Sequence, residues 1–487
     1  MIDQMRKFGK LLTVAMVFAS ICCSGVAAST EKPVSQLVIF GDSLSDIGNF
    51  PANYYSAAAG KNADAATALS DLTTNFYVPV CSPVFIGEQA YTVPMDLIFS
   101  GYNEAFSLSD LQQFDRYLPA QPPIDQVKRE WHSYLWPQFL ISYLNSDDMI
   151  EASGTQLWPW TVWADWAGKN DQQKTAALQQ ASVNYAWSGA MSDNQYHYPN
   201  GDVVSGATLQ EMKTAWLAYL NDRQNYNLEN TIIVPGLLKQ IDFFIQDVKS
   251  GRIKVNNRTV YTVWSGGNDL FNAFNSLLNG GSKTAALKTL TYQTVVCNFK
   301  AVYRLIKEAK AQKVYVFNLF NVNMTPRINS DAAYSKFYIK FIINTLTVLY
   351  NKEMQAAAGI INKFVCNGRQ VVQIVDVNKL FDAMSKGKKV TGTSLYDGDY
   401  SVLKFAPTYG EAGELSAGGE YFTAEASKAN NAGYMFWNGI HPGMQVENVI
   451  GYVLKKAVAA TRTEPAAPAK VSWSSTLNKI KNAVQGF

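Results

Sequence analysis

Short apolar runs bounded by Gly or polar residues recur along the chain, and stretches with helical spacing separate them. That alternation is the signature of βαβ units wound around a parallel sheet. Leu37–Phe40 reads as the first strand and stops at Gly41, with Asp42 and Ser43 just beyond it. Thr259–Trp264, Lys313–Leu319 and Val371–Val375 read as later strands. Among the helical stretches, Pro235–Ile245 places apolar residues at 237, 238, 241, 244 and 245, which is one helix face. Trp136–Leu144 has the same spacing, and Met444–Ala460 predicts a closing helix. Residues 337–350 are hydrophobic, but Lys340 and Asn344 interrupt them, which predicts a core helix and not a membrane span.

Other regions break the alternation. Residues 51–135 are rich in Tyr, Phe and Pro, and their short apolar runs are cut by Pro and Gly. They predict an inserted subdomain. Because it leaves the sheet just after Ser43, it is placed to overhang that point as a lid or binding wall. Trp158–Trp166 holds four Trp in nine residues, which suits packing or, if a subset is exposed, an apolar ligand or membrane interface. Residues 385–435, rich in Gly, Ala, Ser and Tyr, predict long loops. Thr461–Ala469 is a Pro/Ala linker, and Trp473, Leu477, Ile480, Val484 and Phe487 beyond it form an amphipathic helical tail. Such a tail docks on the body or lies on a membrane surface.

Composition narrows the class. With 487 residues, 47% hydrophobic and 17% charged, the chain is globular and can bury a large core. Arg6, Lys7 and Lys10 precede an apolar run from Leu11 to Cys23 and then Gly25-Val26-Ala27-Ala28, the layout of a secretory signal peptide. Cleavage is expected after Ala27 or Ala28, making residues 1–28 a leader and the product secreted or periplasmic. Losing the three basic residues and Asp3 takes the formal charge from +3 to +1. A near-neutral protein has no general electrostatic reason to bind nucleic acid or an anionic membrane. Cys81, Cys297 and Cys366 remain, so at least one thiol in the monomer is unpaired.

A Ser placed two residues past a strand-ending Gly presents its hydroxyl in the crevice beyond the carboxyl end of the sheet, where ligands bind. A helix N-cap is the alternative role. Three further segments bear on the choice: Ser182–Ala190, Val263–Asp269 and Phe436–Pro442. With Val38–Asp46 they resemble, in order, the four blocks of the GDSL, or SGNH, family of serine esterases and lipases. Gly189 stands at the family's glycine position, Asn268 at its asparagine and His441 at its histidine. The resemblance implies a three-layer α/β/α fold with a mostly parallel central sheet. The four blocks would sit on loops at its carboxyl edge, in one catalytic domain over residues 29–460 enlarged by the 51–135 insertion.

It also implies roles. Ser43 would be the nucleophile, and His441 the general base toward it and then general acid toward the leaving alcohol. The backbone N–H of Ser43, the backbone N–H of Gly189 and the side-chain amide of Asn268 would form the oxyanion hole. No metal or cofactor is implied. His132 and His197 read as structural or surface residues, and Asp42 and Asp46 as residues that orient the turn. Asn438 departs from the family's Asp-x-x-His-Pro, leaving an uncharged third member beside His441. The long exported bacterial members that the chain resembles act on lipid esters as phospholipase A, lysophospholipase or glycerophospholipid–sterol acyltransferase. A phospholipid substrate, a sterol as acyl acceptor beside water, and peripheral membrane contact are therefore the implied partners. Two other readings stand beside this one: a lipid-binding scaffold that lost turnover with Asn438, and a carbohydrate or aryl esterase. No Gly-x-Ser-x-Gly elbow or His-Glu-x-x-His occurs, and Gly281-Ser282-Lys283-Thr284 is no phosphate loop.

Overall fold

The computed structural model describes residues 32–49, 84–86, 95, 99, 130–132, 135–167, 176, 178–221, 228–330, 334, 336–392, 395–403, 413–416, 419–422, 435–436 and 439–460. Six parallel strands form the central sheet: β1 (Leu37–Gly41), β2 (Leu157–Pro159), β3 (Ser182–Asn184), β4 (Val260–Trp264), β5 (Val314–Phe317) and β6 (Val372–Val375). Their spatial order is β6-β5-β4-β1-β3-β2. The chain therefore starts in the middle of its sheet, with Val38 opposite Tyr261 on one side and Val183 on the other. Every residue of β1 and β4 is buried, as strands covered on both faces must be. β2 and β3 were not among the expected strands; three residues each, with Trp, Pro, Ser and Asn, carry no β-branched run to announce them.

Helices α1 (Trp136–Ser146) and α8 (Met444–Ala460) cover one face of the sheet. There Trp136 packs on Trp264 and Phe317, and Tyr315 donates from its hydroxyl to the Ala457 carbonyl. The two helices cross at Gly451, where a Cβ would lie 2.8 Å from that of Phe139 and 3.0 Å from the Trp136 carbonyl. Helices α3 (Leu237–Lys249), α5 (Thr294–Glu308) and α6 (Phe337–Ile360) cover the other face. Phe244 of α3 meets Phe40 and Tyr261 edge-on. The remaining helices used below are α2 (Trp160–Ala167), α4 (Gly267–Leu278) and α7 (Val377–Ser385). The outcome is the three-layer α/β/α architecture implied by the four segments.

Several expectations change on contact with the structure. Within 385–435, α7 ends at Ser385, and two short antiparallel pairs follow, Lys389–Val390 with Gly398–Asp399 and Gly413–Ser416 with Gly419–Phe422, where only loops were expected. Of the Trp cluster, Trp160 and Trp163 are core residues, and Trp160 stacks on Phe243 with ring centroids 4.6 Å apart. Trp158 is half-buried, and the side chain of Trp166 lies outside the described residues. The stretch 337–350 is a core helix only on one side. Its inner face buries Ile343, Leu346 and Tyr350, while Phe337, Tyr338 and Phe341 face outward. Of the 51–135 insertion, Val84–Ile86 pairs antiparallel with Glu130–His132, Phe99 stacks on Tyr452 of α8, and Met95 and Leu135 are buried; its other residues, and with them the lid reading, lie outside the described residues. So do the 1–28 leader, the 461–487 tail and Cys81. Cys297 and Cys366 are free thiols. Among the described residues no helix is long and apolar enough to cross a membrane, and no cluster of side chains could hold a metal ion.

Candidate active site

The site begins with a glycine that the sheet requires. A Cβ on Gly41 would sit 2.3 Å from the Trp264 carbonyl of the neighbouring strand, so any side chain there would push β1 and β4 apart. Its peptide is held from α3 by Gln240, whose Oε1 accepts from the Gly41 N–H at 3.0 Å while its Nε2 donates to the Gly41 carbonyl at 2.8 Å. The chain then turns at once. The Asp42 carbonyl accepts from the N–H groups of Ser45 and Asp46, and Asp42 Oδ1 accepts from that of Leu44 at 3.1 Å. Ser43 is left at the tip of the turn, beyond the carboxyl end of the central strand.

There its Oγ lies 2.9 Å from Nε2 of His441, a residue 398 positions away. The loop carrying His441 is closed by a bridge between Phe436 and Pro442 and by the Gly443 N–H donating to the Met435 carbonyl. Phe436 packs against Phe320 and Phe381, which seats the loop on the end of the fold. His441 is 9% exposed, and burial pushes its pKa down to about 4. At neutral pH the imidazole is therefore uncharged and able to accept the Ser43 proton. Of the other histidines, His197 is tied up elsewhere, with Nε2 2.7 Å from Asp193 Oδ1 and Nδ1 3.2 Å from the Gly201 carbonyl. His132 is in the strand Glu130–His132, and its side chain lies outside the described residues. Asn438 lies outside them too.

The loops holding Gly189 and Asn268 converge on the same edge. Asp46 joins the first: its Oδ1 accepts from the N–H groups of Gly48 and Asn49, and its Oδ2 from that of Ser188 at 2.8 Å. Asn49 adds two bonds from Nδ2 to the Asn184 and Ala186 carbonyls, and Asn184 returns one from its own Nδ2 to the Ser45 carbonyl. The Ser43 turn and the Gly189 loop are thus one hydrogen-bonded unit. Gly189 itself has φ +81°, and a Cβ would meet Pro199 at 3.2 Å, so a side chain there would be both strained and crowded. Asn268 sits in the first turn of α4, and its Nδ2 donates to the Ala190 carbonyl at 3.0 Å. That bond uses one amide hydrogen and aims the group at the Gly189 loop. Asp269 fixes the turn from behind, accepting from the N–H and hydroxyl of Ser192 and from the hydroxyl of Thr294. Asp42 and Asp46 orient the turn as expected. Gln240, Asn49, Asn184 and Asp269 were not anticipated, although a Gln between the apolar positions 237, 241 and 244 was a visible sign of a buried polar contact.

Two buried carboxyls, Asp42 and Asp269, lie close behind Ser43. Loss of hydration raises the Asp42 pKa to about 7, and the neighbouring Asp269 adds to the rise. Its effect on stability is opposite in sign to that of His441. His441 titrates near 6.5 unfolded and about 4 folded, so it takes stability away as pH falls through that window. Asp42 titrates near 3.8 unfolded and about 7 folded, so it takes stability away as pH rises through its own. Activity follows His441 alone if it is the base. The acid limb of kcat/KM for a soluble ester is expected near pH 4, well below an ordinary histidine; an inflection at about 6.5 would exclude this buried imidazole as the base.

A hydroxyl against a neutral imidazole, beside backbone and amide donors on a shared edge, can transfer an acyl group. Compared with known families, residues 37–452 match the GDSL-like lipase/acylhydrolase family. No curated protein is similar enough to the chain to count as a match.

Proposed function

The chain belongs to the GDSL-like lipase/acylhydrolase family, and from that premise we propose that it is an exported serine hydrolase of lipid esters that works through an acyl-enzyme on Ser43. The observation that carries this reading is the 2.9 Å contact between Ser43 Oγ and His441 Nε2. His441 takes the hydroxyl proton as the oxygen attacks the ester carbonyl. The negative oxygen of the tetrahedral intermediate accepts from the N–H groups of Ser43 and Gly189 and from the Asn268 amide. Collapse expels the alcohol, which receives its proton from His441. Water, activated by the same imidazole, then releases the acid and restores the serine.

For the substrate we propose a phospholipid or lysophospholipid. The aromatic content of residues 51–135, which leave the sheet immediately after the nucleophile, favours an apolar acyl chain over a sugar ester. A sterol competes with water as acceptor if that region excludes solvent. Labelling by a fluorophosphonate probe, abolished by Ser43→Ala, tests the acyl-enzyme; absence of labelling would favour a binding scaffold. A panel of lysophospholipid, triglyceride and acetylated-sugar substrates, with and without cholesterol, assigns substrate and acceptor.

Asn438 bears on rate. An amide can accept a hydrogen bond from imidazole Nδ1–H, but it brings no charge to stabilise imidazolium. Asn438→Asp is expected to raise turnover and to move the acid limb of the pH profile upward, because a carboxylate favours the protonated ring. Equal rates in the two proteins would show that the missing charge does not matter.

A further inference from the structure

Helix α6 inverts the usual pattern of a surface helix. At its start, Phe337 is 85% exposed, Phe341 63% and Tyr338 56%, and Val348 two turns on is 39% exposed. Positions 337, 341, 344, 345 and 348 fall on one stripe, and its polar members, Asn344 and Thr345, carry no charge. Solvent-facing stripes normally hold charged side chains, whereas clustered exposed aromatics mark a contact surface. The charges instead surround the stripe. Arg327 and Lys336 are exposed, and Lys340 donates from Nζ to Asn329 Oδ1 at 2.6 Å. Between residues 320 and 352 four basic residues stand against a single acidic one, Asp331.

Hydrogen bonds tie the start of α6 to the segment before it, and that segment to the loop carrying His441. Asn323 Nδ2 donates to the Lys340 carbonyl at 2.8 Å, joining the start of α6 to the segment before it. In that segment the Arg327 N–H donates to the Gly439 carbonyl at 2.8 Å, two residues from His441. The Arg327 guanidinium lies 5.4 Å from the ring centroid of Phe271, one turn beyond Asn268 on α4. The aromatic stripe and the catalytic loop thus share the carboxyl edge of the sheet.

We infer that this face docks the protein on a phospholipid surface that contains anionic headgroups. Phe337, Tyr338 and Phe341 enter the boundary between headgroups and acyl chains, and Arg327, Lys336 and Lys340 face the phosphates. The inference rests on the lipid-ester reading above and adds to it the surface that brings the site to its substrate.

The test uses the full chain carrying Ser43→Ala, so that vesicles stay intact. Cosedimentation with phosphatidylcholine vesicles, with and without phosphatidylglycerol, measures partition. Binding is expected, stronger with phosphatidylglycerol and weakened by salt. Adding Phe337→Ser, Tyr338→Ser and Phe341→Ser is expected to lower partition by about tenfold or more, with no fall in melting temperature because none of the three is buried. Lys336→Glu should reduce the preference for phosphatidylglycerol. Equal partition of the triple variant and its parent, or a parent that ignores vesicles, overturns the proposal. So does a triple variant that loses self-association on gel filtration but keeps vesicle binding, which would make the stripe a contact between copies. Hydrolysis of a soluble short-chain ester by the unmutated protein is scored separately, so failure of the catalytic reading and failure of docking give different results.

Discussion

Replacing His441 by Ala is expected to lower kcat/KM for a soluble ester by about 10⁶-fold, with the fold intact. The reason is geometric. Ser43 has one described imidazole within reach, at 2.9 Å, and that ring is neutral at working pH because burial pushes its pKa to about 4. Asp42, the nearest buried carboxyl in sequence, accepts the Leu44 N–H and braces the turn, so it is not free to replace the base. Single-turnover kinetics with a p-nitrophenyl ester, alongside thermal melting, checks this. A fall of less than about tenfold would mean that some other group removes the Ser43 proton.

The second large effect is expected at Asn268. Asn268→Ala should lower kcat by about 10²–10³ with little change in KM, since the amide acts chiefly on the charge that develops in the transition state. The same amide donates to the Ala190 carbonyl, so its loss should also cost about 1 kcal/mol of stability. Asn268→Asp should be worse than Ala. It would bring a negative charge to a site that binds an oxyanion, next to Asp269 and close to Asp42, which already resist ionisation. A rise in KM at constant kcat would instead make Asn268 a substrate-binding residue.

What the amino-acid sequence discloses follows from which forces are local. β1, β4 and β5 are visible because both faces of a central parallel strand are buried, which favours apolar and β-branched residues at successive positions; β6, at the sheet edge with Gln373 half-buried, shows through its Val and Ile residues alone. The closing helix is visible because α8 repeats its apolar face from Met444 to Ala460. Ser43 is conspicuous because a strand must end at Gly41 before it. Nothing local, however, separates His441 from His132 and His197; its spelling with Pro442 and the resemblance of the four segments singled it out. The polar network was harder still. Asn49 and Asn184 look like ordinary turn residues until the fold brings their partners to them from over a hundred residues away. The outward aromatics of α6 were misread for a related reason. Hydrophobicity reports what a segment avoids, and it does not say which face of a helix the core will take.

The separation of 398 positions between Ser43 and His441 has a consequence for the birth of the protein. The first described strand, β1, needs β3 and β4 as neighbours, and His441 is carried just ahead of the last described helix. If His441 is the base toward Ser43, a nascent polypeptide emerging from the ribosome therefore holds an inert serine until synthesis has passed residue 441 and that loop has folded back.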